Sequence, residues 1–152
     1  MKAPIIVVGI CLAFAAFAGN ANELLITPSV SKARVASTST VYAIDFVSTG
    51  EAVAFQFNIK LPKGIKDSNV NLRSCVVDLP KAFGGECRIA KGHIVGIVYS
   101  DKNETFAAGI IPVGKISLDG GLAKSQRQLN VTEFFVSDSK ARPIESSVTV
   151  IE

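Results

Sequence analysis

The chain has 152 residues, of which 48% are hydrophobic and 19% charged, and a formal net charge of +3. That length is room for one domain. The apolar content excludes a disordered chain, and balanced charge with no basic run excludes a nucleic-acid binder.

The hydrophobic residues are unevenly spread: 15 of the first 18 are apolar, against about 43% beyond Ala18. Met1-Lys2 supplies a positive start, and the apolar stretch from Ile5 to Phe17 ends at the small-x-small triplet Ala16-Phe17-Ala18. A second cut could follow Ala21. Counted with its small flanking residues, from Ala3 to Ala18, the stretch is 16 residues, short of the roughly 20 that span a bilayer, and no basic cluster follows it. Cys11 is preceded by Ile10, where a lipid-anchored cysteine wants a small residue. Residues 1–18 are therefore expected to be a cleaved signal peptide, leaving residues 19–152 as one exported domain, in the periplasm or outside, with no membrane span. Loss of Lys2 with the signal leaves a net charge of +2.

Export changes how the cysteines read. Cys11 leaves with the signal, and the remaining pair, Cys75 and Cys87, is expected to form a disulfide in an oxidising compartment. A closed loop of this size constrains the unfolded chain by about 3 kcal/mol in the loop-entropy model. Two cysteines and His93 are too few for a metal centre, and the spacing is far wider than the Cys-x-x-Cys of redox dithiols.

From residue 23 onward the pattern has period two. Tyr42, Ile44 and Phe46 alternate with Ala43 and Asp45. After the polar turn Ser48-Thr49-Gly50-Glu51, Val53, Phe55, Phe57, Ile59 and Leu61 share one face, with Ala54, Gln56, Asn58 and Lys60 on the other. Further strands are expected at 24–30, 69–77, 86–90, 93–100, 112–118, 128–137 and 144–151. Lys91-Gly92 reads as a two-residue hairpin turn. Asp119-Gly120-Gly121 and the stretch from Ser137 to Pro143 mark further breaks. Residues 78–86 read as a long loop closed at its base by the disulfide. Its Phe83 is either a lid over one end of the core or an exposed contact, and the lid is the expectation. About nine strands with no long helix predict an all-β, jelly-roll-like sandwich of two sheets.

The chemistry of catalysis is thin in this sequence. The one histidine, His93, lies in a strand pattern beside apolar neighbours and is expected to be structural. No nucleophile motif accompanies it. No phosphate loop or metal-ligand spacing points to a cofactor. Ser100-Asp101-Lys102-Asn103-Glu104 gathers oxygen ligands in one turn, but fewer than calcium needs, and is expected to be a solvated turn. The chain is expected not to be an enzyme. Tyr99, Ser100 and Asp101, where an apolar strand runs out into that turn with a ring at its edge, are the candidate contact residues.

The order of these pieces resembles the cohesin-like modules, jelly-roll sandwiches of the superfamily that also holds bacterial carbohydrate-binding modules. Residues 52–65 (AVAFQFNIKLPKGI), 92–100 (GHIVGIVYS), 110–118 (IIPVGKISL) and 131–152 (VTEFFVSDSKARPIESSVTVIE) carry the likeness, which spans nearly all of 24–151. Leu61-Pro62 stands where cohesins usually carry Tyr-Asp, and Ser147 where a glycine often precedes the last strand. No dockerin-contact residue is carried over. The resemblance implies a protein-recognition module. Glycan binding is the alternative, weakened by the absence of tryptophan and by phenylalanines expected to face inward. A structural subunit of a surface assembly ranks third, because the closing strand is present rather than missing.

Overall fold

The strongest period-two patterns become the two central strands. The computed structural model describes residues 21–29 and 39–151; the expected signal peptide and Cys11 lie outside them. Among the described residues ten strands are formed: β1 (Asn22–Ser29), β2 (Ser39–Ser48), β3 (Ala54–Lys60), β4 (Val70–Asn71), β5 (Phe83–Ala90), β6 (His93–Ser100), β7 (Gly109–Asp119), β8 (Asn130–Ser137), β9 (Pro143–Ile144) and β10 (Ser146–Val150). The first sheet has the order β10-β1-β2-β7-β4 and the second β5-β6-β3-β8-β9. All neighbours are antiparallel except β1 and β10, which run parallel and bring the closing strand against the opening one. The all-β, two-sheet sandwich expected from the sequence is the fold observed.

Burial follows the alternation. Tyr42, Ile44 and Phe46 of β2 and Phe55, Phe57 and Ile59 of β3 point into the space between the sheets and are almost wholly buried. Leu24, Ile26, Ile94, Val98, Val113, Ile116, Leu118 and Val136 join them from the flanking strands. The Tyr42 hydroxyl, which must find a partner once buried, donates to the Arg127 carbonyl at 2.8 Å. Gly96 of β6 faces inward directly beneath Phe57, and a Cβ there would run into the phenyl ring. The small residue in β6 is what lets the large one in β3 lie flat.

The hairpin at Lys91-Gly92 forms as expected. Lys91 and Gly92 both take positive φ, 50° and 75°, as a type I′ turn requires, and Ala90 pairs with His93 across it.

Three expectations are corrected. Residues 69–77 were expected to be one strand, but only Val70–Asn71 pair, and the chain then turns. This segment crosses the open side of the sandwich from the edge of the first sheet to the edge of the second, so it cannot stay in one ladder. It is held instead by irregular bonds, Lys115 N–H to the Ser74 carbonyl at 2.7 Å and Asp78 N–H to the Val113 carbonyl at 3.1 Å. Gly114 permits the approach, since a Cβ there would meet the backbone of Ser74 and Cys75. The Cys75–Cys87 disulfide then ties the crossing to β5.

The loop at 78–86 ends earlier than expected, because β5 already begins at Phe83. Gly84 and Gly85 lie within the strand as small residues under close neighbours: the Tyr99 ring covers Gly84, and a Cβ on Gly85 would meet the Ile97 carbonyl. Phe83 stacks on the buried Phe106 with ring centroids 3.7 Å apart, so it covers the core from a strand rather than from a loop. The last strand, expected over 144–151, is two. The chain breaks at Glu145, with Ile144 pairing in the second sheet and Ser146–Val150 in the first.

Candidate functional site

The outward face of the second sheet is laid out by register alone. Residues paired across a ladder share a face, and the inward residues of β3, β6 and β8 are known from burial. The outward residues therefore form three cross-strand rows over β5, β6, β3 and β8. The first is Gly84, Tyr99, Ala54 and Ser137; the second Glu86, Ile97, Gln56 and Phe135; the third Arg88, Val95, Asn58 and Glu133.

Three large apolar side chains stand exposed on this face: Ile97 at 39%, Tyr99 at 42% and Phe135 at 59%. Single exposed apolar residues need no explanation, but a contiguous group marks an interaction surface. Ile97 and Phe135 line a depression of about 280 Å³ together with Ala54, Gln56, Ser137 and Pro143, and Tyr99 stands in the next row, paired with Ala54. The depression exists because Ala54 is the smallest residue of its row save glycine, while the Tyr99 ring leans away over Gly84.

One rim of the depression is the turn between β8 and β9, fixed by a short-range ion pair. The Asp138 carboxylate accepts from Arg142 Nε at 2.8 Å and from the backbone N–H groups of Lys140 and Arg142, each at 2.9 Å. The Arg142 side-chain hydrogen bond, then these backbone donors, hold the Asp138 carboxyl down at about 2. Near the middle of the face Asn58 Oδ1 is buried with no hydrogen-bond partner among the described residues. Asn58 sits at a β-bulge, where pairing with β8 jumps from Glu133 to Val131. The skipped Thr132 bonds to the Asn58 carbonyl at 3.2 Å.

Of the three candidate contacts, only Tyr99 lies on this face. Ser100 pairs with Phe83 on the core side. Its hydroxyl accepts the N–H groups of Lys102 at 3.3 Å and Glu104 at 3.0 Å, so it is bound into its own turn. Asp101 is exposed in that turn, beside the Tyr99 end of the face. His93 lies half-buried at the hairpin with Nδ1 3.1 Å from the Lys91 carbonyl.

Ile97, Phe135, Ala54 and Gln56 were not anticipated. A signal for two of them was present: Phe134-Phe135 are consecutive in a strand, so one ring must face outward. Val95, Ile97 and Tyr99 likewise make the second face of β6 apolar, which a strand buried on one side does not need.

No family model matches the chain, and no curated protein matches it. Solved structures do. The chain is similar to the type II cohesin A11 of Bacteroides cellulosolvens, with a TM-score of 0.61 and 10% identity over 84% of this chain and 95% of that one. It is similar to the non-cellulosomal cohesin of the hyperthermophilic archaeon Archaeoglobus fulgidus, with a TM-score of 0.56, 6% identity and coverage of 87% and 92%. A third is the sixth cohesin of the Acetivibrio cellulolyticus scaffoldin B in complex with a Cel5 dockerin mutant, at a TM-score of 0.55, 11% identity and coverage of 86% and 97%. At such identities the likeness is one of fold, and the fold of the chain is cohesin-like.

Proposed function

We propose that the mature chain, residues 19–152, is an exported, non-catalytic protein-recognition module that binds through the outward face of its second sheet. The observation that carries this reading is the exposure of Ile97, Tyr99 and Phe135 on one sheet face, with Ile97 and Phe135 lining its depression. Apolar anchors beside a pocket, rimmed by charge, are what the centre of a protein interface needs. In the scaffoldin B cohesin, a module of the same fold engages a dockerin. Tyr99 is the contact residue in this reading, and Ser100 holds the turn that presents Asp101 at the rim. The disulfide supports an oxidising compartment outside the cytoplasm. The non-catalytic part rests on a single histidine occupied by its own hairpin and on cysteines spent in a bond.

A pull-down from envelope extract, run with wild type and with the double variant Tyr99→Ser, Phe135→Ser, tests this. Partners retained by the wild type and lost by the variant are expected. Equal recovery by both would remove the face from the interface, and turnover of any substrate would remove the non-catalytic reading.

A second reading, glycan binding, draws on one observation: Tyr99 and Phe135 are two exposed rings on a single sheet face, and sugars stack on such rings. Retention on one class of sugar in a glycan array, with no protein recovered, would favour it.

A further inference from the structure

We propose that the protein partner fitted by this face is a second copy of the chain, packed face to face about a two-fold axis that runs parallel to the strands between β3 and β6. The proposal rests on the reading of this face as a protein-recognition surface. A two-fold axis in that direction conserves height along the strands and exchanges left for right. It therefore sets each row against the same row of the copy in reverse order, an isologous contact in which every pairing occurs twice. Strands of the two sheets stay roughly aligned, as in sheet-on-sheet packing generally.

The rows are complementary to their own reversal. In the third row Arg88 lies at one end and Glu133 at the other. Three strand spacings, about 14 Å, separate them within one chain. Both are exposed, and among the described residues neither has an ion-pair partner. Reversal brings Arg88 of each copy against Glu133 of the other. The forked donors of the guanidinium suit the two oxygens of the Glu133 carboxylate. In the first row the reversal sets Tyr99 against Ala54, the large ring of one copy over the depression of the other, and Gly84 against Ser137. In the second row Ile97 covers the methylenes of Gln56, and Phe135 covers those of Glu86.

Charge reversal provides the test, because both residues are exposed and distant from the core. The oligomeric state of the mature, disulfide-bonded protein is measured by sedimentation equilibrium and light scattering, at concentrations up to about 100 µM, where a weak specific dimer is still populated. The wild type is expected to dimerise, and more weakly as salt is raised. Arg88→Glu alone and Glu133→Arg alone each create two like-charge contacts and are expected to weaken association at least about tenfold. The double variant Arg88→Glu, Glu133→Arg restores both pairs with reversed polarity and is expected to recover the dimer. A monomeric wild type, or single reversals that leave association unchanged, would overturn the proposal. Capture of a different protein by a monomeric wild type, lost on Tyr99→Ser, Phe135→Ser, would likewise overturn it while upholding the broader reading of the face. Loss of that broader reading would show separately, as equal recovery by wild type and the double serine variant in the pull-down.

Discussion

The ring of Phe46 in β2 lies 4.4 Å, centroid to centroid, from the ring of Phe55 in β3, and this contact joins the central strands of the two sheets. Phe106 meets both rings, at 5.1 Å from Phe46 and 5.7 Å from Phe55. Phe83 closes over Phe106 from the edge strand β5. The aromatic cluster runs from the middle of the sandwich to one margin, and six of the seven phenylalanines beyond the expected signal take part in it. The seventh, Phe135, stands exposed on the outward face of the second sheet.

Phe57→Ala is expected to cost about 3–5 kcal/mol, the usual range for emptying an aromatic core site. Gln56→Ala, on the outward face, should stay within about 0.5 kcal/mol. Urea unfolding of both measures the difference, and equal losses would mean that the register of β3 is misassigned. Gly96→Ala should also destabilise, and less so in a Phe57→Leu background, because the clash is between those two positions.

Thiol labelling of the unfolded, unreduced mature protein should find no free sulfhydryl, since Cys75 and Cys87 are bonded. Replacing both by alanine is expected to lower stability by about 3 kcal/mol. The loss should show as earlier proteolysis at residues 72–82, whose irregular crossing of the open side depends on the bond. Cleavage first at another site would argue against that role.

The Asp138 carboxyl, held at about 2 chiefly by the Arg142 side-chain hydrogen bond, lies below its ordinary value of 3.8. A depressed carboxylate favours the folded turn above the ordinary value, and that contribution is lost as pH falls through about 2. Carboxyl chemical shifts followed by NMR should show Asp138 titrating in that low range. Arg142→Gln should move the midpoint upward toward the ordinary value, and an unmoved midpoint would show that the ion pair is not its cause.

Mature protein is expected to begin at Gly19 rather than Asn22. Asn22 is 2% exposed, and its Oδ1 accepts the Thr49 N–H at 3.1 Å. Its own backbone N–H bonds to the Glu145 carbonyl at 3.2 Å. A cut after Ala21 would place a charged amine at this buried position, which is costly. N-terminal sequencing of the exported protein decides between the two, and a start at Met1 would discard both.

The sequence by itself determined the pairing of Cys75 with Cys87 and the two strands that became sheet centres. Both are local or compositional properties. A central strand such as β3 is covered along its whole length on one side, so burial prints directly onto alternating residues. Only the tertiary structure decided where an apparent strand changes sheet, as at Glu145, or leaves the ladder, as after Asn71. Those breaks are set by the gap that the chain must cross between two sheets, and no residue at the break encodes the distance. The candidate face was half legible for the same reason. Phe134-Phe135 requires one outward ring, but which ring, and that it stands two strands from Ile97 in the same row, follows from cross-strand register among segments far apart in the chain.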